Sequence, residues 1–197
     1  MSRVLGMALA LVLAAAALYG MQHSTPGYGD ITSPIAIDGK AGERVEEDTF
    51  AFGVARAHLA RSLRTENFGK VKEYTTSGVW LLVEGAGVAK VESLTLTSAE
   101  WLGPTGIRYA LSQRFSNQPG YLVNERLDPG LPTPLLLAFE VPEKEVAGGR
   151  LLLARSALIP LDEQLRIDIA GVLPNSVSPS LTILRSEGDI RWAIRRE

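Results

Sequence analysis

The sequence of 197 residues contains no cysteine. Disulfide bonds, thiolate nucleophiles, cysteine-ligated zinc, iron–sulfur clusters and a lipidated N-terminal cysteine are therefore excluded. Aromatic residues make up only 7% of the chain, which weighs against an aromatic-lined ligand patch. The net charge is −2, and acidic and basic residues are mixed along the chain. Because nucleic-acid-binding proteins carry a clustered basic excess, we expect no nucleic-acid partner.

Histidine is nearly as scarce, with two residues. His23 and His58 stand in neither an HExxH nor an HxH pattern, so we expect no metal site of the usual kind. A Gly-x-Ser-x-Gly nucleophile elbow is missing, and Gly85-Ala86-Gly87 lacks the third glycine of a phosphate loop and is more typical of a β-bulge. The sequence therefore predicts no catalytic, metal-binding or cofactor-binding residue, no cofactor, and a protein that is not an enzyme.

A long uncharged apolar run stands at the start of the sequence. The eighteen residues from Val4 to Met21 carry no charge. As a helix rising 1.5 Å per residue, such a run is about 27 Å long and just spans the hydrocarbon core of a bilayer. Arg3 precedes the run, and no lysine or arginine follows it before Lys40. The positive-inside rule therefore predicts a cytoplasmic N-terminus.

Two interpretations of this segment, residues 1–21, remain open. As an uncleaved transmembrane helix it would contact membrane lipids through residues 4–21, with Tyr19 at the outer interface, and the length and flanks favour this interpretation. As a signal peptide it would be cut after the small residues Ala15 and Ala17. The first interpretation predicts a single-pass protein of the bacterial inner membrane whose C-terminal domain lies in the periplasm.

The rest of the chain divides into a linker, one β-rich domain and a tail. Residues 22–48 are rich in glycine, proline, serine and aspartate, which break regular structure. Within residues 49–171, short apolar stretches and turn signals predict seven or eight strands, and hence an all-β, immunoglobulin-like antiparallel sandwich. Residues 50–64 are also compatible with a helix. Trp80 is expected in the core, and residues 172–197 are expected to form a loop and a small hairpin.

The stretch between Val79 and Ile169 contains several recognisable pieces in order. They are a long apolar strand (VWLLVEGAGVAKV), Gly106-Ile107-Arg108-Tyr109, Pro129-Gly130, Phe139-Glu140-Val141-Pro142, and two closing apolar strands at 151–153 and 165–169. Together they resemble the telokin-like, immunoglobulin-fold domain of unknown function found in bacterial lipoproteins and membrane-anchored exported proteins. The resemblance implies an exported immunoglobulin-like module and implies no catalytic residues. The chain departs from the family pattern by lacking a lipobox cysteine and by having the additional tail.

Candidate interface residues are aromatic and basic side chains near the two ends of the chain and beside one turn. Trp101 precedes a Gly-Pro turn and is expected to be exposed. The tail hairpin either packs on the sandwich edge or docks on a partner or on the membrane surface, where a tryptophan beside arginines is typical. The candidates are Tyr19, Trp101, Arg191, Trp192, Arg195 and Arg196.

These features together predict a non-catalytic, membrane-anchored periplasmic accessory or scaffold subunit of a larger membrane protein complex. The complex could be respiratory, photosynthetic or secretory, and integral membrane proteins are the expected partners because the helix carries small residues that favour helix packing. The alternative is a soluble or anchored periplasmic ligand-binding module.

Overall fold

The computed structural model describes residues 2–24, 33–67, 70–156, 162–186 and 192–196. The chain divides into two units, Met1–Pro34 and Ile35–Glu197. The first unit contains helix α1, Ser2–Ser24. Its described side chains are all exposed, and the helix is long and apolar enough to cross a membrane, a property that an N-terminal signal sequence shares.

The second unit is a two-sheet β structure. Its eleven described strands are β1 (Ile35–Lys40), β2 (Arg44–Glu46), β3 (Phe50–Asn67), β4 (Lys70–Ala89), β5 (Ser98–Leu102), β6 (Arg108–Ala110), β7 (Thr133–Val141), β8 (Arg150–Ala154), β9 (Glu163–Asp168), β10 (Ser178–Arg185) and β11 (Trp192–Arg196). One sheet has the order β1-β9-β8-β5-β6, and the other has the order β11-β10-β3-β4-β7, with β2 paired to β3. Short 3₁₀ turns lie at Gln113–Phe115, Leu122–Asn124, Glu143–Glu145 and Ala170–Val172.

The alternation of side chains along the strands explains why the sheets pack face to face. In β9, Leu165 and Ile167 are fully buried, whereas Asp168 is exposed. Leu151 of β8 pairs with Ile167 and continues the same buried face. Because successive residues of a strand point to opposite faces, this pattern gives the sheet one apolar side that must be covered. The predicted β-sandwich is confirmed at this level.

Strands β3 and β4 form one long antiparallel hairpin, so the helix that the sequence allows for residues 50–64 is wrong. The pairing shifts between Val54, which faces Gly85, and Arg56, which faces Glu84, so a bulge lies beside Gly85 with its extra residue in β3. Gly85 has another role, because a side chain there would lie 2.6 Å from the Phe52 ring and from the Gly53 carbonyl oxygen. The glycine therefore permits close packing.

The sheets are not wholly antiparallel, and the expected linker and tail contribute to them. β1 and β2 lie within residues 22–48, and β1 pairs parallel with β9. β10 pairs parallel with β3, and β11 pairs antiparallel with β10. Leu181 and Ile183 of β10 are buried. The tail therefore forms a hairpin, as predicted, but one that extends a sheet and shares the core of the sandwich.

Candidate functional site

Trp101 lies in the core, so the prediction that it is an exposed interface residue is wrong. Its side chain is fully buried, and its indole Nε1 donates a hydrogen bond to the Glu145 carbonyl oxygen at 2.8 Å. The register of β5 explains the burial, because Trp101 pairs with Leu151 on the inner face of the sandwich. The ring also packs against Gly149, where a side chain would collide with it.

Trp192 is also buried, with 5% of its surface exposed, and this contradicts its prediction as an interface residue. Its indole Nε1 donates a hydrogen bond to Glu84 Oε2 at 2.9 Å. The ring packs on Gly120, which has φ of +76° and leaves no room for a side chain. The packing of the C-terminal hairpin against the sandwich therefore depends on a glycine that lies 72 residues earlier in the chain.

The other interface candidates are placed as follows. Arg195 and Arg196 are exposed on β11, and Arg191 lies outside the described residues. Tyr19 is 64% exposed on α1, and its ring lies 4.1 Å from that of His23. The structure therefore leaves exposed basic side chains on an edge strand and an aromatic pair near the C-terminal end of the helix.

A buried carboxylate joins three strands at a position that the sequence analysis missed. Glu84 of β4 is 8% exposed. Its Oε1 lies 2.7 Å from His58 Nε2 and 3.4 Å from Arg56 Nε, both on β3, while its Oε2 accepts the bond from Trp192 of β11. The one available signal was an isolated acidic residue within the apolar run of β4, because such a residue requires partners when it is buried.

The environment of Glu84 favours its ionised form. Burial raises the pKa of the carboxyl group, but hydrogen bonds from His58 and Trp192 and the charge of Arg56 outweigh this effect, so the pKa lies below its ordinary value. His58 is itself 7% exposed, and its Nδ1 is buried without a hydrogen-bond partner. The Glu84 carboxylate and the His58 imidazole therefore form a buried hydrogen-bonded pair, which suits a structural role.

Two further buried carboxylates, Glu47 and Glu145, also have hydrogen-bond donors beside them. Glu47 accepts hydrogen bonds from the backbone N–H groups of Thr49 at 3.2 Å and Phe50 at 3.0 Å, although burial raises its pKa above the ordinary value. Glu145, which is 1% exposed, accepts from the Thr105 hydroxyl at 2.8 Å. Among the described residues, no group of three or more histidine, aspartate or glutamate side chains is placed to hold a metal ion.

Hollows on the described part of the sandwich surface include two of several hundred Å³. The first has a volume of about 410 Å³ and is lined by β3, by the turn between β7 and β8, and by residues 170–177. Most of its lining is apolar, including Leu59, Val146 and Leu173. The second, of about 460 Å³, is lined by three cations and three carboxylates. The positive and negative charges are equal in number, so the second hollow has little net charge with which to attract an ion.

No protein-family profile and no curated protein matches this sequence. Two solved structures are similar to it in fold. The yjhA protein from Bacillus subtilis is 12% identical over 66% of this chain and 99% of its own, with a TM-score of 0.47. An uncharacterized β-sandwich protein from Clostridium difficile 630 is 12% identical over 73% of this chain and 98% of its own, with a TM-score of 0.44.

Proposed function

We propose that this chain is a non-catalytic accessory or scaffold subunit, anchored in the bacterial inner membrane by α1, with an immunoglobulin-like sandwich in the periplasm. The N-terminus lies in the cytoplasm, and the partners are integral membrane proteins of a larger complex. The observation that carries the proposal is the exposed apolar surface of α1. Leu5, Leu11 and Leu18 are 76%, 68% and 68% exposed, and apolar surface in water costs about 25 cal/mol per Å². A bilayer removes that cost.

The immunoglobulin-like character is supported by two features of the core. Trp80 is fully buried between the sheets, as the central tryptophan of such sandwiches is. Tyr121 is also buried, and its hydroxyl donates a hydrogen bond to the Ser112 carbonyl oxygen at 2.7 Å. A tyrosine that bonds to backbone upstream of itself is typical of immunoglobulin-like domains, where it fixes a corner between the sheets.

The non-catalytic role is supported by the use of the buried polar groups. Each of the three buried carboxylates accepts hydrogen bonds from neighbouring strands or turns, and the buried imidazole is held by one of them. These contacts stabilise the fold, and each buried carboxylate is engaged by the groups that it holds in place. A domain of this kind acts through its surfaces.

The proposal is tested by purifying the protein from native membranes in mild detergent, measuring its intact mass and identifying the proteins that accompany it. We expect a chain that begins at residue 1 or 2 and that carries partners at fixed stoichiometry. A chain that begins near Leu18 and travels alone would contradict both the anchor and the subunit role.

A substitution in the middle of α1 tests the anchor separately. Leu11→Arg places a charge near the centre of the span, where insertion costs about 2.5–3.5 kcal/mol, so we expect the protein to shift from the membrane fraction to the soluble fraction. Leu11→Ala is the matched control and keeps the segment apolar. Equal membrane retention of the two variants would refute anchoring by this helix.

A periplasmic ligand-binding module is the second candidate, favoured by the apolar hollow of about 410 Å³ beside Leu59 and Leu173. Its volume lies in the range of small-molecule sites. Substitution of Leu173 by glutamate would abolish binding of an apolar ligand there without unfolding the domain. Calorimetry against envelope sugars and short peptides, with the wild-type chain and this variant, distinguishes the two functions.

A further inference from the structure

The chain leads from α1 into one end of the sandwich, which we call the proximal end. The Ile35 N–H group, at the start of β1, donates to the Asp162 carbonyl oxygen at 3.0 Å. The Asp48 N–H group donates to Glu163 Oε2 at 2.7 Å, and the Lys90 N–H group donates to the Thr49 carbonyl oxygen at 2.8 Å. The start of β1, the turn between β2 and β3, and the connection after β4 therefore lie side by side.

Two neighbouring loops of the proximal end expose aliphatic side chains. Val91 follows β4 and is 77% exposed, and Leu131 precedes β7 and is 61% exposed. The Gly130 N–H group donates to the Ala89 carbonyl oxygen at 3.3 Å, which joins the loops. Ile35 adds a third aliphatic side chain, 56% exposed, at the same end.

Position in the chain distinguishes this group from other exposed apolar residues. Single exposed aliphatic residues are common on soluble domains, and Ile107, which is 53% exposed, lies at the opposite end, beyond β5. The proximal end, by contrast, begins at Ile35, and only ten residues separate Ile35 from the last residue of α1. Ten residues reach about 35 Å when fully extended, so a bilayer that holds α1 lies within reach of this end.

We propose that the proximal end of the sandwich rests on the bilayer that holds α1, with Val91, Leu131 and Ile35 inserted at the boundary between headgroups and acyl chains. This inference rests on the membrane anchor of the proposed function and adds a defined lipid-contacting surface to it. Aliphatic loop residues enter that boundary because it removes them from water, and the connection is long enough for them to reach it.

The charges of the proximal end indicate which lipids it favours. Its basic side chains lie near carboxylates: Lys90 near Glu46 at 3.7 Å, Arg126 near Asp128 at 3.2 Å and Arg155 near Glu92 at 3.1 Å. Asp48, Asp162 and Glu163 add negative charge at the same end. We therefore expect apolar contact to drive the association, and a zwitterionic surface to be contacted more closely than an anionic one.

The absence of cysteine makes the test direct. Single-cysteine variants Val91→Cys, Leu131→Cys, Ile107→Cys and Leu11→Cys of the full chain are labelled with an environment-sensitive fluorophore and reconstituted into phosphatidylcholine vesicles that contain a nitroxide lipid quencher at headgroup depth. We expect blue-shifted, strongly quenched emission from positions 91 and 131, and water-like, unquenched emission from position 107. Thermal unfolding in detergent confirms that each labelled variant retains the wild-type fold.

The outcomes separate this inference from the proposed function. Emission from positions 91 and 131 that is as unquenched as that from position 107, with the fluorophore at position 11 inside the bilayer, overturns the lipid contact and leaves the anchor intact. A fluorophore at position 11 that reports water overturns both. Stronger quenching at positions 91 and 131 when half of the lipid is phosphatidylglycerol would overturn the apolar basis of the contact.

Discussion

Replacing Trp192 by phenylalanine isolates the bond that ties the C-terminal hairpin to the sandwich. The substitution keeps an aromatic ring over Gly120 and removes the indole N–H group that donates to Glu84 at 2.9 Å. Because both residues are buried, with 5% and 8% of their surface exposed, little water is available to replace the lost donor. The substitution therefore reports on a contact between elements that are distant in sequence.

The expected loss of stability follows from the nature of the hydrogen bond between Trp192 and the Glu84 carboxylate. A hydrogen bond to a charged, buried group contributes about 1.5–3 kcal/mol to the free energy of unfolding, and the smaller phenylalanine ring leaves a void of low additional cost. We expect a loss of about 2–4 kcal/mol in total. For a domain of this size, 1 kcal/mol corresponds to about 2–4 °C, so the melting temperature should fall by roughly 4–16 °C.

The assay is urea unfolding of the full chain in mild detergent, followed by far-ultraviolet circular dichroism. A double-mutant cycle with Glu84→Gln identifies the partner, because the neutral amide oxygen accepts a weaker bond and the effect of Trp192→Phe should shrink to about 0.5–1.5 kcal/mol. Arg195→Gln, on the exposed face of β11, is the control and should leave stability unchanged. An equal cost of Trp192→Phe in both backgrounds would refute the reasoning.

Further predictions concern stability at other sites. Gly120→Ala should destabilise the domain by more than Gly106→Ala, since both glycines have positive φ but only the first faces a tryptophan ring; equal unfolding free energies of the two variants would contradict this packing. The Glu84 carboxyl has a pKa below its unfolded value of about 4.5, so its stabilising contribution is present above that pH and is lost as the pH falls below it. We expect the acid limb of a stability-versus-pH profile to flatten in Glu84→Gln, and an unchanged limb would count against the cluster. Thr105→Val removes the hydroxyl that donates to buried Glu145 and should cost about 1.5–3 kcal/mol in urea unfolding, whereas a change below about 0.5 kcal/mol would show that Glu145 finds other partners.

The strands and the two-sheet architecture could be predicted to a large extent from local pattern. The alternation of Leu165 and Ile167 with charged residues indicated a strand with one buried face, and that is what β9 is. The tail hairpin was likewise visible in its turn and apolar residues. Boundaries were less predictable. Glycine, proline and aspartate between residues 22 and 48 suggested a linker, yet residues 35–40 pair with β9 and residues 44–46 pair with β3. Composition describes the backbone freedom of such a segment. It does not reveal whether a strand elsewhere in the chain offers an unpaired edge to which the segment can bind.

The candidate interface was less predictable, and for a definite reason. Whether a tryptophan is exposed depends on what covers its face of the sheet, and this is decided by register and by contacts between distant residues. Trp101 looked exposed because a Gly-Pro turn follows it, but its pairing with Leu151 directs it inward. Trp192 looked like an edge residue, but Gly120 and Glu84 accommodate its ring and its N–H group.

The sequence by itself determined the length and apolar character of α1, the absence of cysteine chemistry and the β texture of the rest, because these depend on residues that are close together in the chain. Only the tertiary structure decided the two parallel pairings, the burial of Trp192 against Gly120, the joining of His58, Glu84 and Trp192, and the pairing of the loops that carry Val91 and Leu131. Each of these joins residues dozens of positions apart, so packing and register determine them and local pattern does not.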